Sequence, residues 1–247
     1  MSQRLKFTVA YDGSAFAGWQ SQIHRKTVQD ELERAFHRIS GTHIRVHGAG
    51  RTDTGVHGLG QCAHVDLPDR RLAGAQWTKA LNGVLPPTVR VQRCAYVSAN
   101  FHARFSAKGK TYRYRIWAGP ILPPLEVNRA WHVVAPLDLA LLAAAGNKFV
   151  GKHDFAAFCA NRGKKEQSTI RTVWSVQVRS RGPAVSIEVS AEGFLYKMAR
   201  LMIGAMTRVG CGKESLHMIE TNLKSGRANG ARVAAPGCGL YLIKVWY

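Results

Sequence analysis

The sequence predicts an α+β protein with two ferredoxin-like halves that share a mixed, mainly antiparallel sheet and leave a cleft between them. Two observations predict this class. Each half of the 247-residue chain combines period-two strand patterns with helical patterns, and the first half runs close to β-α-β-β-α-β. The halves have similar β and α content but no detectable sequence identity with each other. We expect them to cover residues 1–105 and 106–247.

The first half opens with a β-rich run, LKFTVAYDG, which ends in a Tyr-Asp-Gly turn. The next element, TVQDELERAFHRISG, is expected to be a helix because its apolar residues recur at helical spacing. Thr27 is placed to cap the start of this helix, and Gly41 is placed to end it. Strands are expected at QCAHVDL and VRVQRCAYV, with a short helix at AQWTKALNGVL between them.

The second half begins at KTYRYRIWAG, whose period-two alternation places Tyr112 on one face of a strand and Arg115 on the other. A helix is expected over about 138–149, followed by strands at TVWSVQVRS and AVSIEVSAEG. A further helix is expected to carry the apolar residues of 194–209. The strand GLYLIKVWY ends the chain.

The charge composition points to a polyanionic partner. Lys and Arg number 35 against 15 Asp and Glu, which gives a net charge of +20 and a pI near 10.3. Nucleic acid is the first candidate for such a surplus, and an anionic membrane is the second. The most apolar window, Leu137–Ala145, is far shorter than the ~20 residues of a spanning helix and contains Asp138. No apolar signal core follows Met1, so we expect a cytoplasmic protein with no membrane partner.

Cysteine and histidine usage argues against a disulfide framework and a metal centre. The chain has five Cys, an odd number, with no CxxC pair, which is typical of reduced thiols in a cytoplasm-like compartment. Its ten His include no HExxH spacing and no His beside a Cys pair. We therefore expect no bound metal.

The positive charge is concentrated in one stretch. No Asp or Glu occurs between Asp69 and Glu126, while ten Lys and Arg fall inside that stretch, around the alternating Tyr/Arg strand. This pattern favours a phosphate-binding surface with aromatic stacking platforms. The alternative is a basic strand that simply packs on the core. Our candidates for phosphate contacts are Lys108, Lys110 and Arg115.

A single carboxylate lies in the glycine-rich segment GAGRTDTGVHG. Asp53 is two residues from Arg51, and no second acid is close in sequence, as a glycosidase of the usual kind would need. The segment lacks the glycine pattern of a phosphate-binding loop and matches no catalytic triad. One carboxylate beside an arginine suits a reaction at a ribose whose leaving group needs no external acid. From the local pattern alone, Asp53 can also be an ordinary turn residue.

The segment GAGRTDTGVHGLGQ resembles the catalytic-aspartate motif of the tRNA pseudouridine synthases of the A type. The match is specific because further motifs follow in that family's order and approximate spacing, over essentially the whole chain. These motifs are YDGSAFAGWQ, FHARFSAKGKTYRYRI, HDFAAF, RTVW, FLYKMARLMIGAMTRVG and APGCGLYLIKVWY. Departures from the family pattern are small; Thr54, for example, stands where Ala is commoner.

The resemblance implies a homodimer without a cofactor that isomerises uridines 38, 39 and 40 in the anticodon arm of tRNA. It implies that Asp53 is the nucleophile or base and that Arg51 acts in the same motif. It implies that Tyr112 stacks on the target base and that Arg200 is the basic partner of the aspartate. The residue pattern alone leaves Tyr112 open as a core tyrosine and Arg200 open as a solvent-facing residue. A non-catalytic RNA-binding protein and a nucleoside or glycan hydrolase remain the alternative functions.

Overall fold

A computed structural model describes residues 3–69, 72–160 and 168–247. The chain divides into two compact units, of which the first comprises residues 1–108 and 241–247 and the second residues 109–240. The boundary after residue 108 is close to the expected one after residue 105. The end of the chain, residues 241–247, groups with the first unit, whereas the sequence analysis assigned it to the second half.

The described residues form ten strands and five α-helices. The strands are β1 (Gln3–Tyr11), β2 (His47–Gly48), β3 (His57–Leu67), β4 (Val89–Val97), β5 (Gly109–Trp117), β6 (Trp131–His132), β7 (Gly151–Asp154), β8 (Ile170–Arg181), β9 (Ala184–Ala191) and β10 (Leu240–Trp246). The helices are α1 (Val28–Ser40), α2 (Gly74–Val84), α3 (Leu139–Asn147), α4 (Met198–Gly210) and α5 (Leu216–Ser225). None of these helices is both long and apolar enough to cross a membrane.

The first unit has the expected β-α-β-β-α-β order. Strand β1 pairs antiparallel with both β3 and β4, and β2 pairs antiparallel with β3. The last strand, β10, lies parallel to β3, with Tyr241 opposite His57. The core of this unit is aromatic, since the ring centroid of Phe36 lies 5.5 Å from that of Phe7 and 5.4 Å from that of Trp77.

Helix α1 begins and ends where the sequence predicts. The hydroxyl of Thr27 accepts a hydrogen bond from the amide of Asp30 at 3.3 Å, which satisfies an amide in the first turn. Gly41 follows the last turn with a φ of 72°, a left-handed conformation that glycine adopts without strain. These capping residues confirm the predicted helix.

In the second unit the strands run in the order β5-β9-β8-β7, and each neighbouring pair is antiparallel. The short strand β6 is parallel to β5. Every residue of α4 except Arg200 and Arg208 is buried, so this helix is a core element rather than an amphipathic surface helix. The predicted α+β class and the mixed, mainly antiparallel strand pairing are confirmed.

Two predictions for the second half need correction. Phe194 is not in a helix, because α4 begins only at Met198, after Lys197 adopts a left-handed conformation with a φ of 58°. Helix α5 is absent from the sequence prediction although Ser215 caps it by accepting from the amide of Met218. The sequence does contain signals for this helix, since Leu216, Ile219 and Leu223 recur at helical spacing and Gly226 follows the last turn with a φ of 65°. The short strands β6 and β7 also escaped prediction.

Candidate active site

Asp53 lies in the connection between β2 and β3, and we refer to residues 48–58 as the Asp53 turn. The amide of Val56 donates to the carbonyl of Asp53 at 3.1 Å, which closes a four-residue turn. Gly55, the third residue of this turn, has a φ of 78°. Glycine adopts this conformation without strain, which explains its presence at position 55. Asp53, the first of these four residues, is half-buried.

Thr52 fixes the Asp53 turn through hydrogen bonds of both its side chain and its backbone. Its side chain is buried, and its hydroxyl lies 2.9 Å from the hydroxyl of Tyr11, which is also buried. Burial raises the pKa of Tyr11 far above its ordinary value, so this phenol stays neutral. The carbonyl of Thr52 accepts from the amide of Trp19 at 3.0 Å. Both the side chain and the backbone of the residue before Asp53 are thus fixed.

Glycines allow the segment YDGSAFAGWQ to lie directly on the Asp53 turn. Gly18 has a φ of 101°, and a Cβ added to it would lie 2.6 Å from the carbonyl oxygen of Thr52. A Cβ added to Gly48 would lie 2.5 Å from the indole of Trp19. Trp19 and Phe16 are buried, so this segment also contributes to the core of the first unit. The segment YDGSAFAGWQ and the Asp53 turn, which carry two of the sequence motifs, are therefore in direct contact.

His57 fastens the far end of the Asp53 turn. Its Nδ1 accepts from the amide of Gly13 at 3.0 Å, and its ring stacks on Tyr241 of β10 at 4.5 Å between centroids. No role for His57 was expected from the sequence. Its position shows that Tyr11, Thr52 and His57 are structural supports of the turn, and the only sequence signal for them was their place inside the two motifs.

Arg51 is exposed at the start of the same turn. Its Nε donates to the side-chain oxygen of Gln20 at 3.0 Å, and Gln20 in turn donates to Gln29 of α1 at 2.8 Å. Arg51 is therefore oriented through a chain of side-chain hydrogen bonds that ends on a helix. Asp53 and Arg51 lie in the first unit, on one turn.

Tyr112 lies on β5 in the second unit and is 8% exposed. Its ring meets that of Phe194 edge-on, with 4.9 Å between centroids. The period-two alternation predicted for this strand is confirmed, since Tyr112, Tyr114 and Ile116 are buried while the residues between them are half-exposed. Tyr114 is a core tyrosine whose hydroxyl donates to the carbonyl of Pro236 at 2.9 Å.

Arg200 lies in the first turn of α4 and is half-buried. Its Nε donates to the carbonyl of Ala235 at 2.7 Å, and the amide of Ala235 donates back to the carbonyl of Arg200 at 3.0 Å. This reciprocal pair ties α4 to the segment APGCG that precedes β10. The motif containing Arg200 and the last motif of the chain are therefore in direct contact.

The basic stretch that contains no acid in sequence is partly paired with acids in the structure. Lys108 is exposed and Lys110 is half-exposed. The guanidinium of Arg115 donates to Glu126 at 2.7 Å, and that of Arg113 donates to Glu188 at 2.7 Å. Acids from other parts of the sequence thus neutralise two of the predicted cations. The phosphate contacts of Lys108, Lys110 and Arg115 remain predictions.

The structure provides no ready-made metal centre in the parts of the chain that it describes. No group of three or more His, Cys, Asp or Glu side chains there is arranged to hold a metal ion. The five cysteines are all free thiols.

The sequence matches the family model described as tRNA pseudouridine synthase over residues 8–106 and 145–247. Three similar relatives carry the name tRNA pseudouridine synthase A. That of Akkermansia muciniphila is 45% identical, over 99% of this chain and 95% of the relative. That of Solidesulfovibrio magneticus is 44% identical, over 99% of this chain and 91% of the relative. That of Methylacidiphilum infernorum is 42% identical, over 98% of this chain and 94% of the relative.

Among solved structures, the chain is similar to one from the crystal structure of a Cbf5-Nop10-Gar1 complex. The alignment covers 97% of this chain and 47% of that chain, with a TM-score of 0.36 and 14% identity. A TM-score this low supports no conclusion about function.

Proposed function

Because the chain belongs to the tRNA pseudouridine synthase A family, whose members isomerise uridine to pseudouridine in tRNA, we propose that its targets are uridines 38, 39 and 40 of the anticodon arm. In this reaction the C1′–N1 bond of the uridine breaks, the bound uracil rotates, and C5 joins C1′. The C5 proton is lost and N1 gains a proton, so the product has the mass of the substrate.

The catalytic group in this proposal is the carboxylate of Asp53. It either attacks the substrate as a nucleophile or removes the C2′ proton to give a glycal, and both routes need an ionised carboxylate at a fixed position. The observation that carries the proposal is the way the Asp53 turn is built. The residue before Asp53 is bonded to buried Tyr11 and Trp19, and Val56 closes the turn on the carbonyl of Asp53 itself. Such a support is what a preorganised catalytic side chain requires.

We assign the remaining roles by the motifs that carry each residue. Arg200 is the basic partner of the catalytic carboxylate, and Arg51 acts beside Asp53 in the same motif. Tyr112 stacks on the target base. Extruding a base from a loop costs a few kcal/mol, and one stacking contact returns about 1–3 kcal/mol. The half-buried position of Arg200 in the first turn of α4 supports its assignment. The role of Tyr112 rests on its motif alone, since its ring is 8% exposed and packs on Phe194.

The partner in this proposal is the anticodon arm of tRNA, bound by a homodimer. The net charge of +20 supports a polyanionic partner of this kind. Lys108, Lys110 and Arg115 are the proposed phosphate contacts, and no cofactor takes part. Light scattering of the protein with and without tRNA tests the dimer.

The test of the proposed function is product analysis on a defined tRNA. A transcript with uridine at 38, 39 and 40 is incubated with the protein, and a matched transcript with cytidine at these positions is the control. We expect a nucleoside with the mass of uridine that resists N-glycosidic cleavage, at these positions of the first transcript and absent from the second. Free uracil would identify a hydrolase, and unchanged RNA that is nevertheless bound would identify a non-catalytic binder.

A further inference from the structure

The end of the chain and the segment after β4 lie side by side in the first unit. The hydroxyl of Tyr247 donates to the carbonyl of Ala103 at 2.8 Å. The amide of Lys108 donates to the carbonyl of Trp246, also at 2.8 Å. These two bonds hold residues 103–108 against the end of β10, although the two segments are far apart in sequence.

Two large aromatic side chains are exposed on this part of the unit, and each has a cation beside it. Phe105 is 77% exposed, and the guanidinium carbon of Arg104 lies 5.7 Å from its ring centroid. Trp246 is 41% exposed, and the ammonium of Lys244 lies 3.5 Å from its ring centroid. With Lys108, these residues form what we name the basic-aromatic surface: Arg104, Phe105, Lys108, Lys244 and Trp246.

The ring of Phe105 is fixed in place although it is exposed. Nδ1 of His102 accepts from the amides of Arg104 at 3.1 Å and Phe105 at 3.3 Å, and the amide of Ser106 donates to the carbonyl of His102 at 2.9 Å. The imidazole of His102 also packs on the ring of Phe105, with 4.4 Å between centroids. Phe105 is thus presented on a tight, hydrogen-bonded turn, which lowers the entropy lost when a partner covers it.

The chemistry of the basic-aromatic surface fits single-stranded RNA better than a protein. Exposed rings that alternate with cations provide stacking for bases and counter-charge for phosphates. The two segments themselves carry no acid, since none occurs between Asp69 and Glu126 and none follows Glu220. The neighbouring carboxylate of Asp66 is paired with Arg4 at 2.7 Å. By contrast, the exposed aliphatic residues Ile121 and Leu125 of the second unit lie in the uncharged run GPILPPL. Aliphatic side chains of that kind offer no stacking face.

We propose that the basic-aromatic surface binds an unpaired segment of the tRNA other than the target uridine, with Phe105 and Trp246 stacking on bases and the three cations on the adjoining phosphates. The proposal rests on tRNA being the substrate, as the proposed function has it. Phe105 is a positioning residue in this scheme, because it helps to hold the RNA and does not touch the reacting atoms. Loss of its ring therefore changes binding and leaves the chemical step intact.

The test compares four variants with the parent in tRNA affinity, KM and single-turnover rate at saturating enzyme. Phe105→Ala and Phe105→Leu remove the aromatic face, Phe105→Trp restores it, and Leu125→Ala is a control at an aliphatic residue that is 86% exposed. We expect Kd and KM to rise about 5-fold or more for the Ala and Leu variants, with an unchanged saturating rate. The Trp variant and the Leu125 variant should bind like the parent.

Several outcomes would overturn the proposal. Equal affinity of Phe105→Ala and the parent removes the stacking role, and a Leu variant as good as the Trp variant reduces it to general hydrophobic contact. A change in oligomeric mass with unchanged RNA affinity would make the surface a contact between copies of the chain. Failure of the proposed function is distinguishable, because the parent itself would then form no pseudouridine at positions 38, 39 and 40, whatever the effect of Phe105 on binding.

Discussion

The two units hold their proposed catalytic side chains in different ways. In the first unit, Asp53 lies on an irregular turn that backbone hydrogen bonds and close glycine contacts fix in place. In the second unit, Tyr112 and Arg200 lie on regular elements, a strand with one buried face and a helix buried along almost its whole length. The position of Asp53 depends on a few backbone contacts. The positions of Tyr112 and Arg200 depend on the packing of many side chains.

This difference predicts two kinds of sensitivity to mutation. The Asp53 turn should reject even one added methyl group where its backbone is in contact, because backbone atoms cannot move aside without breaking hydrogen bonds. The elements that carry Tyr112 and Arg200 should tolerate substitutions that conserve volume and respond to a reduction in volume. The following variants separate these two cases.

The largest effect on stability is expected for Tyr112→Ala, because Tyr112 is 8% exposed and packs on Phe194. We expect the free energy of unfolding to fall by about 3–5 kcal/mol and tRNA binding to weaken. Tyr112→Phe conserves the ring and should stay within about 1 kcal/mol of the parent. Urea unfolding and a tRNA binding assay measure both effects. Parental pseudouridine formation by the Ala variant would exclude Tyr112 from the proposed mechanism.

In the Phe variant, a rearranged but incomplete product would indicate that the hydroxyl of Tyr112 transfers a proton. A Phe variant that both binds and turns over like the parent would leave stacking as its role. Single-turnover reactions followed by nucleoside analysis distinguish the two.

The next largest effect is expected for Gly18→Ala. The residue has a φ of 101°, and its added Cβ would lie 2.6 Å from the carbonyl oxygen of Thr52. We expect a loss of about 2–4 kcal/mol in the free energy of unfolding, with a lower single-turnover rate because the Asp53 turn is displaced. The matched control is Gly41→Ala, which has a φ of 72° but no neighbouring atom within 4 Å of the added Cβ.

Gly41→Ala should cost about 1 kcal/mol, from backbone strain alone, and should leave turnover unchanged. Equal losses in the two glycine variants would show that contact with the turn adds nothing. In that case the comparison between the two units would lose its main support.

A buried imidazole of the first unit gives a pH-dependent effect. Burial, together with the neighbouring charges of Arg4, His102 and His47, lowers the pKa of His64 to about 4, from an ordinary value near 6.5. His64 is therefore neutral at pH 7, and its Nδ1 accepts from the amide of Ala103 at 3.2 Å. Because the unfolded chain binds this proton more readily, the stability contribution is complete above about pH 6.5 and is lost as the pH falls towards 4.

Urea unfolding between pH 7 and pH 4.5 measures this dependence. We expect His64→Gln to reduce the loss of stability across that range, whereas His217→Gln, at an exposed histidine, should leave it unchanged. An identical pH dependence of the parent and His64→Gln would contradict the assignment to His64. The remaining slope is expected to come partly from His102, since burial lowers the pKa of His102 as well.

The smallest effects are expected for the proposed phosphate contacts, Lys108, Lys110 and Arg115, because each one contributes a single charge to a large polyanionic interface. Lys108→Gln and Lys110→Gln should each flatten the dependence of log Kd on log salt by about 0.7–0.9 for each phosphate that the side chain no longer neutralises. Arg115→Gln should change the slope less, because Glu126 already neutralises part of its charge. The choice of uridine should not change. A tRNA affinity that is insensitive to salt in the parent would refute the phosphate contacts.

The sequence predicted the elements whose signals are local. Helix α1 was predictable because its apolar spacing, the cap at Thr27 and the stop at Gly41 agree, and β4 was predictable from its alternation. Helix α5 was not predicted although Leu216, Ile219 and Leu223 recur at helical spacing; what the sequence does not show is the tertiary contact that holds the helix. Its buried Asn222 accepts from the amide of Asn229 at 2.8 Å and donates to the carbonyl of the same residue at 3.0 Å. No periodicity in the sequence reports such a bond.

The sequence nominates the residues of the candidate site, but it does not show which contacts support them. A motif can identify Asp53, but the approach of Gly18 to the carbonyl of Thr52 is a long-range contact between backbones. Likewise, the pairing of Arg115 with Glu126 removes a charge that the sequence presented as available. In both cases the missing information was which parts of the chain meet in space.

The central claim is that the carboxylate of Asp53 performs the chemistry, and Asp53→Asn tests it most directly. Asn keeps the shape and the turn-forming capacity of Asp but has no negative charge with which to attack or to accept a proton. We predict a variant that folds and binds tRNA with near-parental affinity. In single-turnover reactions with enzyme in excess over tRNA, it should form no detectable pseudouridine, which also excludes slow product release as the cause. Pseudouridine above the level of a contamination control would contradict this account and leave Asp53 as a turn residue.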